Sequence, residues 1–305
     1  MLLSLVTSFS AFPKTVTLLE LNWSSQQVLT HVLDLLFKRQ NIESELFEGS
    51  SSGQWFYLNA GKADIQVEVW EGSMSKPLKT MLEMNRAEVA AEHNLTSREG
   101  WWYPLFAKKL CPGLPSWKAL ANCPGVFTDA SGTETYYAGP WDKPEQAKMR
   151  AFELPFQVTQ LENTQEINKK IIESMEQNKP ILIFNWSPNW IWQVYDGEFV
   201  ELPDFDERCE TDASWGVNPH RPWDCDNPKT GWIKSVVSSS LKEKSPCALA
   251  ITKSFVMDAE DLSYAAYLTD VEKLSVRDAA EKWLIENTTR VNDWIAHPEC
   301  LDANE

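Results

Sequence analysis

Between residues 15 and 70 short apolar runs alternate with helical segments, and this pattern constrains the fold more than any other feature. Residues 15–21 read as a buried strand, and a helix with a pair of serines at its start follows. Residues 42–47 and 63–70 read as further strands, with a short helical piece at 54–60 between them. Strands separated by helices are typical of a parallel sheet with helices on its faces, so the chain predicts an α/β fold.

The length of 305 residues fits two lobes of this kind. A segment of different character begins near residue 105, and it contains a buried strand at 179–184 that ends in Asn-Trp-Ser-Pro-Asn-Trp. We predict that residues 14–104 and 213–305 form a first lobe and that residues 105–212 form a second. Each lobe is expected to be a mainly parallel sheet flanked by helices.

The chain is strongly acidic, with 44 acidic and 28 basic residues and a formal net charge of −16. This charge argues against nucleic acid or an anionic membrane surface as a partner, because both repel an acidic protein. The apolar stretch at 1–12 is too short to span a bilayer and is typical of an export signal. Residues 1–13 are therefore predicted to be a signal remnant and the protein to be periplasmic, with a disordered tail or an extra strand as alternatives.

Six cysteines, an even number, also favour an oxidising compartment. Six cysteines allow fifteen sets of pairs, and their spacing favours one set without excluding the others. The favoured pairs are Cys111 with Cys123, Cys209 with Cys225, and Cys247 with Cys300.

No catalytic motif is present. The sequence lacks GxSxG, GxGxxG, GxxxxGK[ST] and HExxH, and its four histidines are scattered. The acidic run at 204–212 lacks the spacing of an EF-hand, so we favour a solvated loop over a calcium site. We expect no enzymatic activity, no metal ion and no cofactor.

Fifteen tryptophans outnumber the seven tyrosines and the thirteen phenylalanines, which calls for an explanation beyond core filling. Trp23, Trp70 and Trp186 stand at the ends of predicted strands, where sheets of this kind bind ligands. Several indole faces around one cavity form a site for a quaternary ammonium group, because the face of an aromatic ring carries negative potential. Trp283 and Trp294 lie at helical spacing and are interpreted as core.

Four stretches of the chain carry a family resemblance. They read LNWS at 21–24, GWWYP at 100–104, PILIFNWSPNW at 180–190 and AAEKWLIEN at 279–287. In this order they resemble the substrate-binding proteins of ABC importers for glycine betaine, choline and related osmolytes. The resemblance implies a two-lobed periplasmic-binding-protein fold of type II that closes on its ligand, and a transmembrane permease as partner; we also expect a monomer.

The resemblance implies a ligand-binding role for five tryptophans. Trp23 and Trp70 correspond to cage walls from the first lobe, and Trp186 corresponds to a wall from the second lobe. Trp102 stands where the family has a tyrosine. Trp141 lies in the loop that, in betaine binders, offers backbone N–H groups to the carboxylate of the ligand.

The ligand implied by the resemblance is a small methylated amine. Choline binders of this family carry an acidic residue two positions after the first cage tryptophan, where this chain has Ser25. The tryptophan count and the loop between the first two cysteines resemble trimethylamine N-oxide binders most, with glycine betaine as the next choice. A carbohydrate receptor that stacks sugars on tryptophan is an alternative. An enzyme acting on a methylated amine, with Glu20 or Glu71 as base, is a second alternative.

Overall fold

The computed structural model describes residues 15–301, and its strands form two five-stranded sheets. The predicted signal remnant at 1–13 lies outside the described residues. In chain order the strands are β1 (Val16–Glu20), β2 (Ser44–Glu48), β3 (Ile65–Trp70), β4 (Ala87–Glu92), β5 (Arg98–Pro104), β6 (Thr135–Ala138), β7 (Gln157–Gln160), β8 (Leu182–Ser187), β9 (Gly197–Phe199) and β10 (Ile233–Ser238).

Helices connect and cover these strands. The longest helix buries Val28, Val32 and Leu36, which lie four positions apart and therefore share the face that packs on the first sheet. The helices are α1 (Ser24–Arg39), α2 (Gln54–Asn59), α3 (Glu71–Glu83), α4 (Glu145–Ala151), α5 (Thr164–Gln177), α6 (Ile191–Val194), α7 (Arg208–Thr211), α8 (Leu241–Lys244), α9 (Pro246–Ser254), α10 (Ala259–Asp270), α11 (Val276–Glu286) and α12 (Thr288–Ile295), with 3-10 turns at Leu105–Lys109, Trp117–Asn122 and Pro298–Cys300.

The two sheets share one topology. The first has the strand order β2-β1-β3-β10-β4, and the second has the order β7-β6-β8-β5-β9. In each sheet four strands point in one direction, whereas β10 or β5 runs antiparallel to both of its neighbours. The prediction of an α/β fold with two mainly parallel sheets is therefore confirmed.

The borders between the two sheets differ from the predicted lobe borders. Because β5 belongs to the second sheet, the chain leaves the first sheet before Arg98 and not at residue 104. It returns at Gly231, which pairs with Ser97, and not near residue 213. The strand Arg98–Pro104 is buried, and it accommodates the bulky Trp-Trp-Tyr run by placing these side chains alternately on its two faces. We call residues 15–97 and 231–301 the first lobe, and residues 98–230 the second lobe.

All six cysteines are paired, and the pairs are those that the spacing favours. Two of the disulfides close loops within the second lobe, and the third joins α9 to the segment that follows α12. The Cα–Cα distances are 5.2 Å for Cys111–Cys123, 6.1 Å for Cys209–Cys225 and 4.7 Å for Cys247–Cys300.

Carboxylates of the acidic segment at 204–212 pair with basic side chains. The pairs are Asp204 with Lys229, Asp206 with Arg208, and Glu210 with Lys76. Between residues 15 and 301 no group of three His, Cys, Asp or Glu side chains is placed to hold a metal ion.

Over the same residues, no helix is both long enough and apolar enough to cross a membrane.

Candidate ligand-binding site

Four tryptophans from the two lobes line a single cavity. Trp23 follows β1 and Trp70 ends β3, so both stand at the carboxyl edge of the first sheet. Trp141 follows β6, and Trp186 lies near the end of β8 in the second sheet. The space between these side chains amounts to about 310 Å³ when the part open to solvent is included. The remaining lining residues are Ser73, Met74, Glu99 and Phe184.

The aromatic rings of this cavity meet at steep angles. The ring of Trp141 lies 6.3 Å from that of Trp23 at 78° and 5.5 Å from that of Trp186 at 87°. Phe184 lies 5.4 Å from Trp141 at 61° and stacks on Trp186 at 6.0 Å and 28°. Rings set close to right angles form adjacent walls of a box, and such walls can face an enclosed cation from several sides.

A carboxylate lies behind the first-lobe walls. Glu68 and Trp70 are two positions apart on β3 and therefore share one face of the strand. The Oε2 atom of Glu68 accepts hydrogen bonds from the indole Nε1–H groups of Trp23, at 2.7 Å, and of Trp70, at 3.3 Å. The hydroxyl of Ser25 donates to the same oxygen at 3.1 Å. Burial raises the pKa of Glu68 to about 7, although the three hydrogen bonds act in the opposite direction.

A second carboxylate provides the polar edge of the cavity. Glu99, near the start of β5, accepts a hydrogen bond from the hydroxyl of Ser73 on α3 at 3.2 Å. Lys143 pairs with Glu99 at 2.7 Å, and both side chains are less than a tenth exposed. The ammonium of Lys143 also lies 4.8 Å from the ring centroid of Phe184. The cavity is therefore mostly aromatic, with its charged groups gathered at one edge.

Asn22 connects the two lobes beside the cavity. Its side-chain oxygen accepts a hydrogen bond from the indole of Trp141 at 3.3 Å. Its backbone carbonyl accepts one from the hydroxyl of Thr164, the first residue of α5, also at 3.3 Å. These bonds hold the second-lobe wall Trp141 against the first lobe.

Asp270, at the end of α10, makes a second connection between the lobes. One carboxylate oxygen accepts a hydrogen bond from Ser24 in the same lobe at 2.6 Å. The other accepts bonds from two second-lobe donors, Asn168 at 2.9 Å and the indole of Trp190 at 3.0 Å. Burial raises the pKa of Asp270, while these three bonds act to lower it. The lobes are thus held together by a partly buried carboxylate that does not line the cavity.

Trp102, the fifth tryptophan predicted for the site, does not line this cavity. It is completely buried, it lies 6.4 Å from Trp192 at 89°, and the backbone of Gly197 passes directly over its ring. The residue of β5 that reaches the cavity is Glu99, and a strand advances about 3.3 Å per residue, so Trp102 lies about 10 Å further along. Trp102 therefore belongs to the core of the second lobe.

Several residues of the site are absent from the sequence prediction. Phe184 lies two positions before Trp186, and Glu68 lies two positions before Trp70, so each shares a strand face with a predicted wall. This spacing is a signal that could have identified both. Glu99, Ser73 and Met74 give no comparable signal, because their place depends on how the lobes meet. As predicted, Trp283 and Trp294 are buried away from the cavity, where their rings stack at 6.0 Å.

Comparison with known proteins gives consistent matches over most of the chain. A family model described as the substrate binding domain of ABC-type glycine betaine transport systems matches residues 14–286. The trimethylamine N-oxide-binding protein of Pelagibacter ubique (strain HTCC1062) is 27% identical over 280 residues, which are 87% of this chain and 86% of that protein.

Solved structures share the fold. The glycine betaine/L-proline-binding protein ProX of Borrelia burgdorferi superposes with a TM-score of 0.74 at 18% identity, covering 94% of this chain and 99% of that chain. Lactococcal OpuAC, in its closed conformation with glycine betaine, superposes with a TM-score of 0.68 at 17% identity and covers 92% and 99% of the two chains.

These structural matches establish the periplasmic-binding-protein fold of type II, which agrees with the two sheets described above. The family and the structural matches consist of substrate-binding transport proteins and not of enzymes. The family model covers nearly all of the two lobes that form the cavity. The chain therefore belongs to the family of substrate-binding domains of ABC-type glycine betaine transport systems.

Proposed function

We propose that this protein captures a small methylated amine, trimethylamine N-oxide or else glycine betaine, and delivers it to the permease of an ABC transporter. The observation that carries the proposal is the meeting of four indoles from both lobes around one cavity. Trp23, Trp70, Trp141 and Trp186 form the walls, and we expect the methylated cationic group to bind between them. Membership of the family supports both the class of ligand and the transporter partner.

The expected affinity follows from the size of the ligand. Each aromatic face that contacts a desolvated cation contributes roughly 0.5–2 kcal/mol. Trimethylamine N-oxide has about five heavy atoms, and a ceiling of about 1.5 kcal/mol per atom limits its binding free energy to roughly 7.5 kcal/mol. This corresponds to a dissociation constant in the low micromolar range at best. A ligand this small needs nearly every face covered, which the four indoles and Phe184 provide.

The polar edge of the cavity favours the N-oxide over glycine betaine. Glu99 lines the cavity, and Lys143 is already paired with it. The carboxylate of a betaine would approach the Glu99 carboxylate without a free cation to compensate. An N-oxide carries its formal negative charge on a single oxygen bonded directly to the nitrogen, so it brings less anionic surface to Glu99 than a carboxylate does. The 27% identity to a protein named for trimethylamine N-oxide supports the same choice.

Replacement of single walls tests the cavity as the binding site. We expect Trp70→Ala and Trp186→Ala to lose about 2 kcal/mol of binding free energy for trimethylamine N-oxide, a roughly 30-fold weaker dissociation constant, because each loses one cation–π face. Trp55→Ala, on α2 and outside the cavity, is the matched control and should bind as the wild type does. Calorimetric titration measures the three constants. Wild-type binding by both wall variants would exclude this cavity as the site.

Delivery to a permease requires the protein to be exported, so we propose the periplasm as its location and a monomer as its working form. Osmotic-shock fractionation of expressing cells tests the location: the protein should leave with the periplasmic fraction, and its retention with the cytoplasm would contradict the proposal. Light scattering of the purified protein should give the mass of one chain. A dimer mass would contradict the monomer.

A further inference from the structure

Glu68 is a completely buried carboxylate with no charged partner. Its side chain is 0% exposed, and no charged side chain of the described chain contributes to its pKa. Burying a carboxylate without a cation to neutralise it is costly, and the chain could avoid that cost with an apolar or amide residue. The position of Glu68 therefore calls for a function other than stability.

Glu68 controls two walls of the cavity through a single atom. An indole N–H can only donate, so its hydrogen-bond partner fixes the direction in which the ring points. Trp23 on the loop before α1 and Trp70 at the end of β3 both donate to Oε2 of Glu68. Without Glu68 both buried donors would lose that acceptor. The relative orientation of the two first-lobe walls thus depends on one carboxylate.

The negative charge of Glu68 is not compensated nearby. Its donors, Trp23, Ser25 and Trp70, are uncharged, and no described residue donates to its other oxygen, Oε1. Charged groups on the elements that pack against β3 are engaged elsewhere or exposed. Four of them are in ion pairs: Glu20 with His31, Asp34 with Lys38, Lys234 with Glu92, and Lys76 with Glu210. Glu71 accepts a hydrogen bond from the backbone N–H of Trp232, and the ring of His93 contacts the carbonyl of Val67. The side chains of Arg39, Lys79 and Glu83 are exposed.

We propose that Glu68 is a positioning and specificity-determining residue of the cavity: it orients Trp23 and Trp70 and places an uncompensated negative charge behind them, so that the cavity prefers a cation to an uncharged molecule of the same shape. This inference rests on the proposed function and adds to it the source of cation selectivity. The physical basis is that a charge in a low-dielectric interior acts strongly over short distances. A hydrogen bond to a carboxylate also polarises the indole and makes its face more negative.

The proposal gives binding a pH dependence of defined sign. The pKa of Glu68 is about 7, so the carboxyl is mostly ionised at pH 8.5 and mostly protonated at pH 6. A cation in the cavity favours the ionised form and lowers this pKa. By linkage, ionised Glu68 strengthens cation binding to the same extent. Affinity for a permanent cation is therefore expected to fall as the pH falls below about 7.

The first experiment needs no ligand and separates this inference from the proposed function. The indole N–H resonances of Trp23 and Trp70 are assigned by NMR with Trp23→Phe and Trp70→Phe, and followed from pH 5.5 to pH 8.5. Both resonances should shift with one midpoint near pH 7, and the shift should vanish in Glu68→Gln. If neither resonance moves in the wild type and Glu68→Gln leaves both at their wild-type positions, Glu68 does not act on these indoles and the proposal is wrong.

The second experiment measures binding of tetramethylammonium and trimethylamine N-oxide at pH 6 and pH 8.5. We expect Glu68→Gln, which keeps the shape and one acceptor, to bind the permanent cation tetramethylammonium on the order of tenfold more weakly than the wild type at pH 8.5 and to lose the pH dependence. Glu48→Gln, the same change at an exposed carboxylate on β2 outside the cavity, is the matched control and should bind within about threefold of the wild type.

The outcomes are distinct. If the wild type binds neither amine, the proposed function fails, while the NMR titration still decides the role of Glu68. If the wild type binds and Glu68→Gln binds equally well with the same pH profile, the function stands and the proposal is overturned. Weaker binding by Glu68→Gln with an unchanged wild-type pH profile would also overturn it, because a purely structural role predicts that result.

Discussion

Asp270 is the residue whose replacement should separate lobe closure from ligand contact. It does not line the cavity, yet its carboxylate accepts hydrogen bonds across the lobe interface from Asn168 at 2.9 Å and from Trp190 at 3.0 Å. A hydrogen bond to a charged group contributes about 1.5–3 kcal/mol. With the lower value for each of the two bonds, Asp270→Ala should destabilise the closed arrangement by about 3 kcal/mol.

The loss should appear as weaker ligand binding, because a ligand that requires the closed arrangement must also supply the energy to reach it. About 3 kcal/mol corresponds to a roughly 100-fold increase in the dissociation constant for trimethylamine N-oxide. Calorimetric titration measures the constant, and small-angle scattering with and without ligand measures closure. Glu272→Gln, an exposed carboxylate just after α10 that pairs with Lys282, is the matched control and should bind normally. Wild-type affinity in Asp270→Ala would refute the reasoning.

Two further predictions concern stability. The disulfide Cys247–Cys300 spans 53 residues, so its double replacement by alanine should lower the free energy of unfolding by about 4 kcal/mol in a denaturant titration; an unchanged midpoint would contradict this. Lys143→Met leaves the buried carboxylate of Glu99 without its cation and should cost about 3 kcal/mol. The double variant Lys143→Met/Glu99→Gln should regain most of that loss, and an equally unstable double variant would argue against the ion pair as the cause.

Local pattern was sufficient for much of the fold. Strand and helix alternation in the first seventy residues depends on side-chain periodicity, which the sequence displays directly. Two of the favoured cysteine pairs are close in sequence, and the third joins the two cysteines that remain. All three are the pairs observed. Trp23, Trp70 and Trp186 could be placed because strand ends at one edge of a parallel sheet come together regardless of the details of packing.

Features that depend on how the two lobes meet could not be predicted in this way. Trp102 lies on a strand that runs antiparallel to both of its neighbours. The rule that parallel strands bring their carboxyl ends to one edge of the sheet therefore does not give its place. Glu99 reaches the cavity from the same strand. The alternation around Glu68 is typical of a half-exposed strand, whereas Trp23 on the loop before α1 and Ser25 at the start of α1 contact Glu68, and the side chain is completely buried.

The central claim is that the tryptophan-lined cavity binds a methylated amine, and calorimetric titration of the wild-type protein tests it most directly. The ligands are trimethylamine N-oxide, glycine betaine, choline and maltose, each titrated under the same conditions. We predict saturable binding of trimethylamine N-oxide in the micromolar range, weaker binding of the other two amines and no heat from the sugar. The absence of binding heat with all three amines, or binding of maltose alone, would contradict the account.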